Sequence, residues 1–134
     1  MPQAPLDNLH LFLNHIYPHL RPAVEMIRKT MAEFAPAVTE RPNPEYLQYY
    51  RRYRIATVKM GLNVIYLDFP FGDLFVDPYG RLKEFESNIS GMRLKIRSID
   101  EINENMIRHY INQAIDVDGR PETRSPDWYA RVKK

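Results

Sequence analysis

The sequence predicts an α+β fold in which N-terminal helices precede a small antiparallel sheet of three or four strands. A closing C-terminal helix and an extended tail follow the sheet. The first observation is composition: 134 residues, 44% hydrophobic and 27% charged, are typical of a folded domain rather than a disordered chain. The second is a change of period near Gly61, where helical spacing of apolar residues gives way to alternation.

Two amphipathic helices are predicted near the N-terminus. Asp7 is placed to cap a short helix that ends or kinks at Pro18, and residues 1–6 form an extended arm. The apolar face of this first helix consists of Leu9, Phe12, Leu13 and Ile16. A second helix begins around Pro22 and is closed by Pro36. Its apolar arc consists of Ala23, Val24, Ile27, Met31 and Phe34.

A third helix is predicted from about Glu45 to Met60, with Gly61 as its stop. At about 100° per residue, one arc collects the aromatic residues and the opposite side collects the basic ones. The aromatic arc consists of Tyr46, Tyr49, Tyr50, Tyr53, Ala56, Thr57 and Met60. In this arrangement the tyrosines pack and the arginines are solvated.

Four strand segments are predicted after Gly61. Residues 62–69 are β-branched and aromatic and indicate one strand. The Asp77-Pro78-Tyr79-Gly80 segment has the residue order of a type I turn, so residues 74–76 and 81–86 should form a hairpin. In residues 92–97, apolar and basic side chains alternate, which predicts a strand whose basic face is left open.

A final helix is predicted to close the domain. Ser98 with Glu101, or Asp100 instead, would cap it. Its buried face would include Ile102, Met106, Tyr110 and Ala114. Residues 7–118 are therefore expected to form a single α+β domain, and residues 119–134 a basic aromatic tail. Removal of that tail should leave the fold nearly intact.

Several classes of site are excluded or disfavoured by composition. The chain has no cysteine, so disulfides, thiolate metal sites and iron–sulfur clusters are excluded. Its five glycines are too widely spaced for a dinucleotide-binding fingerprint or a P-loop. We therefore expect no nucleotide cofactor, and no other cofactor is indicated.

The N-terminal sequence disfavours secretion. Residues 1–20 contain no Lys or Arg, which a secretory signal requires before its apolar run. The most apolar stretch, residues 62–76, is interrupted by polar residues and proline, so no membrane span is expected. These features favour an intracellular setting, in the cytoplasm or an organellar matrix, or a virion.

Two groups of side chains are candidate sites of chemistry. Of His10, His15 and His19, the last two are four residues apart, but Pro18 lies between them. An ordinary helix surface is therefore favoured over a metal site, which would also need a third ligand such as Asp7. Asp68, Asp73 and Asp77 surround the predicted hairpin and could bind Mg²⁺ or act as an acid–base pair. The predicted turn already gives a structural reason for an aspartate at position 77. A small enzyme that uses these aspartates is therefore the least favoured interpretation.

Basic and aromatic residues indicate a nucleic-acid-binding surface as an alternative. Residues 49–54 mix tyrosine with arginine, as RNA-binding surfaces do, and the strand at 92–97 adds a basic face. The candidate contact residues are Arg51, Arg52, Arg54, Lys59, Arg93, Lys95 and Arg97. The protein would then be an RNA- or DNA-binding module or a ribonucleoprotein component.

The tail carries the favoured prediction of function. Trp128, Tyr129, Arg131 and Val132 are residue types that anchor protein–protein interfaces, and they lie in an otherwise polar segment. They either fold back on their own domain or dock on a partner. The sequence thus predicts a non-catalytic interaction protein, an accessory or structural subunit of a larger assembly that docks through its termini. Its partners would be other protein subunits, with RNA as a further possibility, and no motif is specific to a known family.

Overall fold

The computed structural model describes residues 7–84, 91–121 and 123. In this part of the chain, three helices pack on one face of a six-stranded antiparallel sheet, so the α+β architecture is confirmed. The helices are α1 (Asn8–Asn14), α2 (Arg21–Ala32) and α3 (Glu104–Asp118). The strands are β1 (Thr39–Pro42), β2 (Tyr46–Tyr50), β3 (Arg54–Gly61), β4 (Val64–Phe69), β5 (Leu82–Glu84) and β6 (Met92–Ile96). Their order across the sheet is β1-β2-β3-β4-β6-β5.

The two N-terminal helices form as predicted. The Asp7 carboxylate accepts a hydrogen bond from the backbone N–H of His10 at 2.9 Å and caps α1. Pro22 lies in the first turn of α2, where its missing N–H leaves no intrahelical bond unmade. The predicted apolar faces of both helices are largely buried in the core. The buried members are Phe12, Leu13, Ile16, Ala23, Val24, Ile27 and Met31.

The prediction of a third helix at 45–60 is wrong, because this segment forms β2 and β3. Leu47 and Val58 face each other across the two strands and are both fully buried. Ile55, Thr57 and Val58 are β-branched and suit a pleated strand better than a helix. β2 also pairs with β1, and β3 also pairs with β4, so the backbone N–H and C=O groups of both strands have hydrogen-bond partners on either side.

The sheet is larger than the predicted three or four strands, partly because β2 and β3 replace a helix. The predicted hairpin is also wrong: residues 72–74 form a 3₁₀ turn, and β5 pairs with β6. The turn at Asp77–Gly80 does form, and its Gly80 N–H donates to the Asp77 carbonyl at 3.2 Å. The strands predicted at 62–69 and 92–97 are present as β4 and β6.

Helix α3 forms as predicted but has a different cap. The Asn103 side chain accepts a hydrogen bond from the Met106 N–H at 2.9 Å. Ser98 and Asp100 do not cap α3, because residues 99–101 form a separate 3₁₀ turn and Ile102 follows in an extended conformation. The buried side of α3 consists of Met106, Ile107, Tyr110, Ile111, Ala114, Val117 and Asp118.

The main core lies between the helices and the sheet face that they cover. The fully buried strand residues of this face include Leu47, Val58, Ile65, Leu67 and Leu94. On β1, the Glu40 carboxylate accepts two hydrogen bonds from the Arg28 guanidinium, both at 3.0 Å, and one from the Tyr49 hydroxyl at 2.6 Å. This cluster connects α2 to the edge of the sheet.

Within the described ranges, no helix has the length and apolar character needed to cross a membrane.

Candidate functional site

The sheet face opposite the helices carries two rows of side chains that run across the strands. Directly paired residues of antiparallel strands share a face, and successive residues alternate between faces. Because Leu47, Val58, Leu67 and Leu94 are buried toward the helices, their strand neighbours belong to the opposite face. The first row is Arg41, Gln48, Thr57, Asp68, Arg93 and Lys83. The second is Tyr46, Lys59, Tyr66 and Lys95. We call these two rows, together with Tyr50, the outer face.

The outer face has an excess of positive charge. Its basic side chains are Arg41, Lys59, Lys83, Arg93 and Lys95, and its acidic side chain is Asp68. The Asp68 carboxylate accepts hydrogen bonds from the Arg93 guanidinium at 2.7 and 3.1 Å, and the Lys59 ammonium lies 3.6 Å away. Lys83 and Lys95 are exposed. Asp68 thus offsets part of the charge of its two neighbours, Lys59 and Arg93.

Tyrosine rings alternate with these cations. The guanidinium carbon of Arg41 lies 4.2 Å from the centre of the Tyr50 ring, and that of Arg93 lies 3.8 Å from the centre of the Tyr66 ring. A Cβ atom at Gly61 would come within 2.5 Å of the Tyr66 ring, so this ring lies directly against the Gly61 backbone. Close contact with Gly61 and Arg93 therefore holds Tyr66 in place on the outer face.

Arg51 and Arg52 do not belong to the outer face, whereas Arg54 pairs directly with Tyr50 across β2 and β3. Arg51 and Arg52 lie in the connection between β2 and β3, where the Asp118 carboxylate accepts hydrogen bonds from the Arg52 and Tyr53 N–H groups, both at 2.9 Å. The Arg51 guanidinium donates to the same carboxylate at 3.0 Å. Arg54 begins β3, and its Nε is buried without a hydrogen-bond partner among the described residues. Arg51 and Arg52 thus join β2 and β3 to the end of α3.

The structure therefore brings together part of the predicted nucleic-acid set. Lys59, Arg93 and Lys95 share the outer face, and Arg97 follows β6 with its guanidinium 3.8 Å from the Glu101 carboxylate. Sequence reasoning missed several members of the outer face: Arg41, Lys83, Tyr46, Tyr50 and Tyr66. Their positions depend on strand pairing, which the predicted helix at 45–60 concealed.

The three aspartates of the enzyme hypothesis have separate surroundings. Asp68 is paired on the outer face, whereas the Asp77 carboxylate accepts hydrogen bonds from the Tyr110 hydroxyl of α3 at 2.7 Å and the Leu82 N–H at 3.0 Å. Burial raises the pKa of Asp77, but these hydrogen bonds outweigh it and hold the pKa below its ordinary value. Asp73 lies in an exposed 3₁₀ turn. The Asp77 carboxylate thus has a structural role as a hydrogen-bond acceptor, and the Asp68 carboxylate has one as an ion-pair partner.

The histidines also have ordinary surroundings. Nδ1 of His10 lies 2.7 Å from the Asp7 carboxylate, and His15 and His19 are exposed. Across residues 7–84, 91–121 and 123, no three histidine, aspartate or glutamate side chains are placed to share a metal ion.

A groove of about 730 Å³ lies beside the second row of the outer face. It opens where the C-terminal end of α1 meets β2 and β3. Its lining consists of Phe12, His15, Ile16, Pro44, Glu45, Tyr46, Lys59 and Met60. Tyr46 and Lys59 therefore belong both to the groove and to the outer face.

The predicted protein-docking residues lie outside the described part of the chain. These are Trp128, Tyr129, Arg131 and Val132, and the predicted arm at 1–6 is likewise not described. Thr123, within the predicted tail, is only 4% exposed, and its hydroxyl donates to the Val117 carbonyl. Its own carbonyl accepts a hydrogen bond from the Arg52 guanidinium. Removal of residues from 119 onward would also remove these contacts of Thr123, and the expectation that the fold then stays nearly intact remains a prediction.

Comparison with protein-family models found no match, and neither did comparison with curated proteins or with solved structures.

Proposed function

We propose that this protein is a non-catalytic binding module for single-stranded nucleic acid, which it contacts through the outer face. The observation that carries the proposal is the strand register, which collects five basic side chains and three tyrosines on one sheet face. A basic surface with interleaved aromatic rings is the combination that binds single strands in many unrelated proteins.

The charged side chains would supply the sequence-independent part of the affinity. Lysine and arginine side chains that neutralise phosphates release condensed counterions, which makes binding favourable and dependent on salt. Lys83 and Lys95 are exposed, so their ammonium groups can reach phosphates without breaking an ion pair to any other residue that the structure describes. Lys59 and Arg93 each form an ion pair with Asp68, which holds both side chains in place on the outer face.

The rings and guanidinium groups would hold the bases. An unpaired base has two flat faces, and tyrosine rings and guanidinium planes both offer flat surfaces for stacking. Arg41 over Tyr50 and Arg93 over Tyr66 form two such stacks. A double helix offers no exposed base faces, so this arrangement favours single strands.

The internal partners of the acidic residues support a binding role over catalysis. Asp68 takes part in an ion-pair network, and the Asp77 carboxylate holds its own turn against Tyr110. Neither carboxylate is placed as a free acid–base group. We therefore propose no catalytic residue.

Fluorescence anisotropy with a labelled single-stranded RNA tests the proposal. In the Lys83→Glu, Lys95→Glu double variant, affinity should fall at least about tenfold. The slope of log affinity against log salt concentration (the salt slope) should become shallower by about 1.4, because two phosphate contacts are lost. The matched control is Lys29→Glu with Arg120→Glu, which changes the net charge equally. Lys29 and Arg120 lie on the helical side, where each forms an ion pair.

Equal losses in the two double variants would mean that net charge alone attracts RNA, and would reject the outer face as the site. Absence of binding by the unaltered protein at low salt would reject the function itself. Duplex RNA of equal length serves as the competitor, and it should bind more weakly than the single strand.

We also retain, as a second proposal, an accessory subunit that docks on a protein partner through its termini. It rests on Trp128, Tyr129, Arg131 and Val132 in the sequence, and on the Arg52–Thr123 hydrogen bond, which holds the start of the tail at the β2–β3 connection. The two roles are compatible in a ribonucleoprotein component, and an intracellular or virion setting would suit both. Co-purification from the native source, with and without ribonuclease, distinguishes protein from RNA partners.

A further inference from the structure

We propose that the groove between α1 and the β2–β3 pair binds one unstacked nucleobase of the strand held on the outer face, and that it prefers bases with an exocyclic amino group. This inference rests on the proposed function and adds a base-binding pocket to it. The groove's volume of about 730 Å³ lies within the range of small-molecule sites in proteins.

The lining of the groove suits a flat heterocycle. Tyr46 and Met60, both half-buried, contribute ring and thioether surface, and Phe12 and Ile16 lie beneath with little exposed surface of their own. Phe12 and Ile16 are themselves buried in the core, so these walls are fixed. Apolar and aromatic walls of this kind favour a base over a phosphate or a sugar.

Continuity with the outer face determines which ligand would reach the groove. Tyr46 and Lys59 pair across β2 and β3 within the second row, and both also line the groove. A strand whose phosphates follow the basic residues of this row would pass directly beside the groove. One of its bases could then enter while the phosphate remains near Lys59.

Glu45 supplies the basis for selection among bases. Its side chain is exposed in the turn before β2, where its backbone N–H donates to the Asn43 side chain at 2.9 Å. A carboxylate accepts hydrogen bonds from the amino group of cytosine, whereas uracil presents a carbonyl oxygen at that position. Because a carboxylate has no donor for that oxygen, cytosine should be preferred over uracil.

Titration with nucleosides tests the groove separately from the outer face, because nucleosides carry no phosphate. In protein labelled with ¹³C at the methionine methyl groups, cytidine should shift the Met60 signal with saturation. The signals of Met92 and Met106, which do not line the groove, should stay in place. Uridine should bind more weakly, and Glu45→Ala should remove the difference.

The variant His15→Trp places a large ring at the groove, and cytidine affinity should fall about tenfold or more. The matched control is His19→Trp, an exposed histidine outside the groove, which should leave affinity within about twofold. The inference is overturned if no nucleoside moves the Met60 signal, or if His15→Trp and His19→Trp behave alike. Salt-dependent RNA binding without a Met60 shift would reject the groove alone. A Met60 shift without RNA binding would reject the proposed function instead.

Discussion

The Asp118 carboxylate, at the end of α3, accepts a hydrogen bond from the backbone N–H of Arg52 at 2.9 Å. This contact joins residues 66 positions apart and holds the β2–β3 connection against the last turn of the helix. Asp118 is fully buried, and its other partners are the Tyr53 N–H and the Arg51 guanidinium. Two of the candidate nucleic-acid-binding arginines, Arg51 and Arg52, therefore have a structural role.

Asp118→Ala should destabilise the protein by about 3 kcal/mol, because it leaves two backbone N–H groups and the Arg51 guanidinium without their acceptor. Urea unfolding provides the measurement. The control is Asp116→Ala on the same helix, where an exposed ion pair with Arg120 should be worth less than about 1 kcal/mol. Similar losses in the two variants would contradict the role given to Asp118.

Tyr49 should make stability depend on pH in the alkaline range. Burial raises the pKa of Tyr49, and the neighbouring Glu40 carboxylate raises it further. The folded protein therefore keeps this proton above about pH 10, where tyrosine in the unfolded chain loses it. The unfolded state then binds fewer protons, so the free energy of unfolding falls as pH rises.

The Tyr49→Phe variant isolates this effect. At neutral pH it should be less stable by about 1 kcal/mol, since the hydrogen bond to Glu40 is lost. Urea unfolding from about pH 8 to about pH 11 should show the difference from the unaltered protein shrinking as pH rises. A difference that stays constant across this range would show that Tyr49 does not contribute to the alkaline loss.

Much of the helical layer could be predicted from the sequence because its signals are local. Asp7 caps α1, Pro22 opens α2, and the apolar spacing in 102–114 marks the buried face of α3. β4 and β6 were also predictable, because β-branched residues in one and strict alternation in the other are visible without a partner strand.

The central strands could not be assigned from the helical wheel, because Tyr46, Tyr49 and Tyr50 satisfy a helical arc by coincidence. The contrary signal was Leu47, Ile55 and Val58, which are fully buried yet lie off the predicted apolar arc. The outer face was hidden for a different reason. Its rows join residues from up to six strands, and only the register of pairing brings Arg41, Thr57 and Lys83 into one line.

Two truncations should measure what Thr123 contributes to stability. Thr123 is buried and bonded to Val117 and Arg52, so a chain ending after Gly119 should lose about 2 kcal/mol of stability. A chain ending after Ser125 keeps this contact and should remain within about 0.5 kcal/mol of the full chain. Thermal unfolding monitored by circular dichroism compares them. Equal stability of both truncated chains would show that Thr123 contributes nothing.

Tyr50→Ala should weaken binding of single-stranded RNA about tenfold, because it removes a stacking surface beneath Arg41. The salt slope should not change, since no charge is lost. Tyr50→Phe keeps the ring and should bind almost as well as the unaltered protein. Anisotropy titrations at two salt concentrations provide both quantities. If Tyr50→Phe loses as much affinity as Tyr50→Ala, the hydroxyl rather than the ring is responsible.

The most direct test of the central claim is a map of backbone amide chemical shifts during titration with a short single-stranded RNA. We expect the largest changes on the outer-face rows, at positions such as Gln48, Thr57, Tyr66 and Lys95. Amides of α2, of α3 and of the β2–β3 connection at Arg51 and Arg52 should change little. Changes concentrated on the helices or on that connection, or no saturable change at low salt, would contradict the assignment of the outer face as a nucleic-acid-binding surface.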